Sequence, residues 1–478
     1  VTGSPILVDV TEKVSVDAPL TLYLILRSRR YPYLLESVEK SGQRARFSFV
    51  GADPSALVTI KEDRFIMEFF NGGMDFMQDR LAPQIDLHRE DNCLVGTISE
   101  GYDLFDALRA SIPCRETETN FDRQVFTGGG IGYLAYDLVK GRLGRRSASS
   151  TPDAQFALAE STFIFDHLMR KVYFALAPIL PGAKVDLVEV VEGMDPIEGD
   201  DEDVPGELLG EGDPQIFQDS VRRAKEHILD GDIFQVVLAR SARVRCGDPV
   251  ALYRRLRRIN PSPYTYLFEF GDQSIVGASP ETLFNTYRGQ LRVNPIAGTC
   301  PRGRTLEEDR ELARIMLADE KERAEHIMLV DLGRNDVRSV CRSGSVRVED
   351  FMSVLKYSHV QHIETTVTGE LRLECDQFDA ARAVFPAGTL SGAPKLRAME
   401  IIDDLEGEER GIYGGGIGYF SADGSSDFAI AIRSVLIRDG IARVQAGAGI
   451  VADSDPYKEY LETERKMAPM KRALGVES

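Results

Sequence analysis

The chain has 478 residues, 43% hydrophobic and 28% charged, enough for two or three domains of a soluble globular protein. Its formal charge of −19 excludes nucleic acid and anionic membranes as principal partners, and no apolar run is long enough for a transmembrane helix. There are 16 Tyr and 23 Phe but no Trp, a gap that composition alone does not explain.

Up to residue 190, strand-like runs predominate. Residues 56–60, 65–70, 161–165 and 172–176 cluster or alternate β-branched and aromatic side chains. The segment 128–137, GGGIGYLAYD, is dense in glycine, as suits a strand whose backbone approaches another closely. Residues 191–214 then hold ten acidic residues, five Gly and no Lys or Arg, the composition of a solvated linker or disordered loop. The expected division is 1–190, an acidic linker 191–214 and a second unit 215–478, in a mixed α/β chain. Since ten of the 19 net negative charges fall in the linker, the total says little about a site.

Helical signals strengthen beyond the linker. Residues 215–229 carry apolar side chains near helical spacing, and Thr305-Leu-Glu-Glu308 is a capping box that opens a long helical stretch. In that stretch Glu322 and Glu325 lie three apart, on one helix face. His362 alternates with apolar residues on a strand-like run, where a lone His is either structural or catalytic. The run Pro386-Ala-Gly-Thr389-Leu-Ser-Gly-Ala-Pro-Lys395 either binds an anion through hydroxyls and amides or simply leads into a helix.

Residues 414–423, GGGIGYFSAD, echo 128–137 with six identical residues and the Asp in register. Either the two halves contribute equivalent strands to one paired structure, or two glycine-rich strands coincide. Strands follow at 433–437 and 441–446. Gly447-Ala-Gly449-Ile-Val-Ala452 fits GxGxxA, but Asp453-Ser-Asp-Pro456 starts the next helix only after the motif, against a dinucleotide turn. Amides that meet a smaller anion stay open there. The next helix repeats the carboxylate spacing at Glu459 and Glu462, with Lys466 one turn on. Each acidic pair alone is a solvated face; two facing pairs would make a site for Mg²⁺.

The six cysteines are scattered without a CxxC pair, which favours free thiols in a reducing compartment over a zinc module. The first residues lack the basic start and apolar run of a signal peptide, so the expected location is cytoplasmic.

Several segments stand in a fixed order: Gly277-Ala-Ser-Pro-Glu281, Pro295-Ile-Ala-Gly-Thr-Cys-Pro-Arg-Gly-Arg304, Glu325-His-Ile-Met-Leu-Val-Asp-Leu-Gly-Arg-Asn-Asp336, the PAGTLSGAPK run and Gln445-Ala-Gly-Ala-Gly449. With them the chain resembles the chorismate-utilising enzymes, and among these the large subunits of anthranilate synthases, densely over 215–473 and more thinly before the linker. The resemblance implies an α/β chain of the α+β type, with an antiparallel β-sandwich core, helices packed outside and two intertwined subdomains. It places Glu322, Glu325, Glu459 and Glu462 around Mg²⁺. Arg433, Lys466, Tyr413 and the amides of Gly447 and Gly449 would hold a substrate carboxylate, and Thr389 corresponds to a catalytic, substrate-binding hydroxyl near the ring. Glu281 aligns with the general acid that protonates the departing ring hydroxyl, which calls for a pKa raised by burial. His362 matches the residue tied to pyruvate loss, as proton donor or as orienting group.

The activity so implied turns chorismate and ammonia into anthranilate and pyruvate through aminodeoxyisochorismate, the first committed step of tryptophan biosynthesis. Isochorismate and salicylate synthases carry a water-activating Lys where this chain has Gln235, and aminodeoxychorismate synthases a covalently acting Lys where it has Ala297. No Cys sits in a Gly-flanked elbow with a downstream His-x-Glu, so ammonia would come from a glutamine amidotransferase partner, component II, or from solution. Leu34-Leu-Glu36-Ser37 resembles the family's tryptophan-sensing motif, with Pro263-Tyr264-Thr265 as the other wall; many members have Met where Thr265 stands. Alone, the LLES run also reads as an amphipathic helix fragment. The alternatives are an aminodeoxychorismate synthase component I and a non-catalytic member that senses chorismate or tryptophan. For an enzyme of this pathway, a chain without Trp can be translated when that amino acid has run out.

Overall fold

The structure, a computed structural model, describes residues 5–37, 46–114, 121–147, 149–181, 206–357 and 360–476. These build two antiparallel sheets, of 12 and 13 strands, that pack face to face. Phe49, Tyr266, Phe268 and Ile275 of the first sheet and Ile131, Tyr133, Ile417 and Tyr419 of the second fill the space between them. Helices cover both outer faces. Pro19–Leu26, Pro249–Ile259 and Pro456–Ala473 bury their apolar sides on the first sheet, and Met74–Leu81, Leu104–Ser111 and Gln377–Val384 on the second. This is the expected α+β sandwich.

The two halves interleave, and each sheet has one seam between them. In the first sheet Tyr33–Glu36 pairs with Tyr264–Phe270, Glu36 opposite Thr265. Leu34, Leu35 and Glu36 of the LLES run thus lie in a strand and not in a helical turn, with a paired strand on either side. In the second sheet the echoed segments meet: Gly129–Leu134 runs antiparallel to Gly416–Ser421 with Gly132 opposite Gly418. These two glycines are also equivalent in the echo, so the seam has a local two-fold relation centred on them. A Cβ on either would run into a neighbouring carbonyl oxygen, of Gln155 or of Asp427, which is why both are glycine.

The strands expected at 56–60, 65–70, 161–165 and 172–176 are present as Ala56–Lys61, Arg64–Phe69, Ser161–Asp166 and Lys171–Leu176. The helix expected at 215–229 is Pro214–Leu229, capped by Asp213. Two expectations need correction. The acidic stretch lies outside the described residues up to 205, but Leu208–Glu211 is an edge strand on Gln235–Arg245, anchored where Glu211 accepts from Arg240 and Lys471. At the predicted capping box Thr305 does accept from the Glu308 amide, whereas the Glu308 carboxylate takes the Arg304 amide instead. All six cysteines are unpaired.

Candidate active site

At one of its passages from the first sheet to the second the chain leaves only two residues, Pro280 and Glu281, between strands. Gln273–Ser279 ends in the first sheet, Thr282–Tyr287 begins in the second, and Glu281 lies between them. Its Oε1 accepts from the Thr389 hydroxyl at 2.8 Å, from the short helical turn Gly388–Leu390. Burial raises the Glu281 carboxyl to about 7, although Thr389, Lys466 and Arg433 oppose the rise and Glu364 adds to it. The rise has the direction that the resemblance calls for at Glu281.

Cationic groups gather beside it. Arg433 precedes the strand Ser434–Arg438 with a φ of 50°, a left-handed backbone that costs a residue with a Cβ roughly 1–2 kcal/mol. Asn260 orders it, its Oδ1 accepting from the guanidinium at 3.4 Å while its Nδ2 donates to the Ala278 carbonyl at 3.0 Å. No motif in the sequence marks Asn260 for this support of Arg433. Lys466 donates to Glu462 at 2.7 Å and to the Gly447 carbonyl at 3.0 Å.

The predicted glycine loop is instead the end of the strand Ile441–Ile450, paired with Gln235–Arg245 through Gly447 and Gly449. Ala239 and Val237, opposite these glycines, send their N–H groups the other way, to Glu406 and to the Ser391 carbonyl. In an antiparallel ladder the facing residues then also point outward. The amides of Gly447 and Gly449 accordingly face the strand's free side, past Val444 where its pairing with Ser434–Arg438 stops. The Tyr413 hydroxyl stands at the same place, 3.0 Å from where a Cβ on Gly447 would be.

His362 lies on Val360–Glu370. Opposite it the ladder slips at Gly298, whose φ of 66° suits glycine, and this bulge brings the Gly298 carbonyl to 3.0 Å from Nδ1. The Thr299 hydroxyl, which can donate or accept, is also 3.0 Å from Nδ1; the carbonyl only accepts, so its contact places the proton on Nδ1 and leaves Nε2 a lone pair. Nε2 is buried without a hydrogen-bond partner among the described residues, and burial lowers the imidazole to about 4. Tyr357 packs edge-on against the ring and donates to the Pro280 carbonyl beside Glu281.

The two acidic helices, Glu320–Val340 and Pro456–Ala473, do converge. Burial, Glu325, Asp319 and, from the other helix, Glu462 raise Glu322. Burial and Glu462 raise Glu459, against Ser454, Lys321 and Lys466. Glu325 accepts from Gln235 at 3.0 Å, a contact that sequence spacing gives no means of finding. Among the described residues, no three His, Cys, Asp or Glu side chains are closed into a metal-holding group. The expectation of four carboxylates around one point is met only in part: they are gathered but not closed. Their all-oxygen donor set fits a hard divalent cation in kind, while their placement among the described residues does not yet enclose one.

A second cavity, of about 280 Å³, opens at the seam of the first sheet. Glu36, Ser37, Pro263, Tyr264 and Thr265 all line it. The Glu36 carboxylate is buried and held by Tyr253 and Arg257, whereas the Ser37 hydroxyl has no partner among the described residues. Pro280 and Thr282, on either side of Glu281, form part of its wall, and Tyr264 bonds Thr282 at 2.9 Å.

A family model described as chorismate binding enzyme matches residues 62–472. The chain is 48% identical to the anthranilate synthase component 1 of Haloferax volcanii, over 95% of this chain and 90% of that protein. It is 44% identical to the anthranilate synthase component 1 of Thermococcus kodakarensis, over 96% and 97%. The crystal structure of anthranilate synthase component I from Streptococcus pneumoniae TIGR4 superposes with a TM-score of 0.76 at 35% identity, covering 90% of this chain and 93% of that one.

Proposed function

The chain belongs to the chorismate binding enzymes and is an enzyme of the anthranilate synthase kind, and from that premise we propose that it makes anthranilate and pyruvate from chorismate and ammonia. The observation that carries this reading is Glu281, a carboxyl that is protonated near neutrality and lies beside Thr389, Arg433 and Lys466. Chorismate is a compact dianion. Arg433, Lys466, Tyr413 and the outward amides of Gly447 and Gly449 suit one of its carboxylates. Glu322, Glu325, Glu459 and Glu462 would hold a divalent cation, Mg²⁺ in this reading, which supplies positive charge for the other.

Glu281 gives its proton to the ring hydroxyl, which leaves as water, while ammonia adds at ring carbon two. The product, aminodeoxyisochorismate, then loses pyruvate and becomes aromatic. With its proton on Nδ1 and a lone pair on Nε2, His362 orients the enolpyruvyl group and does not donate to it. Gln235 and Ala297 offer neither a base for water nor an amine that could attack carbon.

Ammonia comes from a glutamine amidotransferase partner, the component 2 that the relatives' name implies, and the cytoplasm is where this pathway runs. Tryptophan, the pathway's end product, fits the seam cavity as a feedback inhibitor, with Ser37 and the walls at Glu36 and Pro263-Tyr264-Thr265 around it. The deciding assay combines the protein with chorismate, Mg²⁺ and ammonium at alkaline pH and follows anthranilate fluorescence. Formation of aminodeoxychorismate in its place would overturn the assignment.

A further inference from the structure

Glu281 faces a second space besides the substrate side. Between Thr389 and the helix Glu320–Val340 lies a narrow cavity of about 40 Å³, lined by Glu281, Thr389, Leu332, Gly333, Asp336 and Val384 among others. That is room for one or two water molecules, which need polar partners to stay. The cavity lining includes residues that can supply them: Glu281 and Thr389, which bond each other, and Asp336. Asp336 is held by Lys395 at 2.7 Å, and Lys395 also donates to the Val384 carbonyl at 3.0 Å. Leu332, Gly333 and Asp336 are half-buried, and the next helix positions, Arg334 and Asn335, are exposed, so Asp336 lies just beneath the surface.

Both carboxyls exchange protons near neutrality. Burial raises Asp336 to about 6, against Lys395 and Arg142, the charged groups that face it. Glu281, under burial, Thr389, Lys466, Arg433 and Glu364, stands at about 7. The acid reading of Glu281, on which this inference rests, leaves a carboxylate after each turnover. That carboxylate must regain a proton while substrate or product fills the other side of it.

We propose that Asp336 returns this proton to Glu281 through water held in the cavity. A proton from bulk solvent adds to an Asp336 oxygen. The Asp336 O–H then donates to the cavity water as that water donates to Glu281. Only O–H bonds form and break, and nothing is oxidised or reduced. Asp336 is a relay residue, out of contact with the reacting atoms.

Two variants test it, with ammonium as nitrogen source and Mg²⁺ present. Asp336→Asn removes the relaying group. Gly333→Ala leaves the Asp336–Lys395 pair intact but sets a methyl 3.3 Å from Pro295 and Val293, inside the cavity, so the test stands even if Asp336→Asn fails to fold. Anthranilate is followed for a first turnover with enzyme in excess, and in steady state above the Glu281 pKa. The expected result is a first turnover within about twofold of the parent and a kcat about tenfold lower or more, with a solvent deuterium effect that grows on kcat alone. The proposal is overturned if first turnover and kcat fall together, as for a structural defect. It is equally overturned if neither changes, since the proton then returns within the site. A parent enzyme that makes no anthranilate overturns the functional reading, and this proposal with it.

Discussion

Glu281 carries the sharpest consequence at the scale of single residues. An acid catalyst must be protonated, and its carboxyl stands at about 7. At constant free ammonia, kcat/KM should therefore decline as pH rises through about 7. Glu281→Gln should lower turnover by at least about 10²-fold while the far-ultraviolet spectrum is kept; a retained rate would end the acid role. His362, lowered to about 4, is neutral throughout that range and should add no limb of its own. Gln235 carries a second consequence. It fixes Glu325 from outside the four carboxylates, and losing such a partner typically weakens metal binding by about 10–100-fold. Gln235→Leu should raise the half-saturating Mg²⁺ concentration by about tenfold or more, and an unchanged value would show that the hydrogen bond does not tune the site. The motif order singled out Glu281, Thr389 and the four carboxylates as candidates. The Gln235–Glu325 contact was not legible, because it joins a strand to a helix 90 positions apart.

At the scale of elements, local pattern and capping residues served well wherever an element is determined by its own chain. Asp213 and Asp455 cap the helices that begin at Pro214 and Pro456, and the short strands of the first half alternate as read. Misreadings fell where the partner decides. Leu208–Glu211 is exposed along its length and has no strand pattern of its own; it is a strand because Gln235–Arg245 offers it an edge. The glycines at 447 and 449 extend a strand because Val237 and Ala239 pair with them. The echoed strands give a direct check on this dependence. Gly132→Ala would drive a methyl into the Gln155 carbonyl across a ladder that cannot open, whereas Gly141, on the short helix Val139–Arg142, has free space around its Cβ position. Gly132→Ala should therefore fail to give folded protein, and Gly141→Ala should leave the melting temperature unchanged or raise it, helix propensity favouring Ala by about 1 kcal/mol. Equal stability of the two variants would refute the packing argument.

At the scale of the whole molecule, division into a first and a second unit at the acidic stretch does not describe the sheets, since each takes strands from both halves. The glycine echo is the trace that this interleaving leaves in the sequence; the other seam, whose pairing partners lie hundreds of residues apart, has no such repeat. Its product is the seam cavity, whose walls come from both halves. With no Trp in the chain, the emission of added tryptophan can be read without background from the protein. A saturable change in that emission is expected, its affinity weakened about fivefold in Ser37→Ala through loss of a hydrogen bond worth roughly 1 kcal/mol. Linear emission with no saturation would remove tryptophan from this cavity.

The position of Pro280 and Thr282 also bears on how such an enzyme can evolve. Each is the immediate chain neighbour of Glu281, so a side chain that alters the cavity at either position also moves the acid. In a selection for growth on a toxic tryptophan analogue, escape through Pro280 or Thr282 would cost the cell the pathway it is trying to free. Resistant lineages should instead carry their changes at Ser37 or Thr265, which do not adjoin Glu281 in the chain, so that release from control and loss of catalysis are separate events.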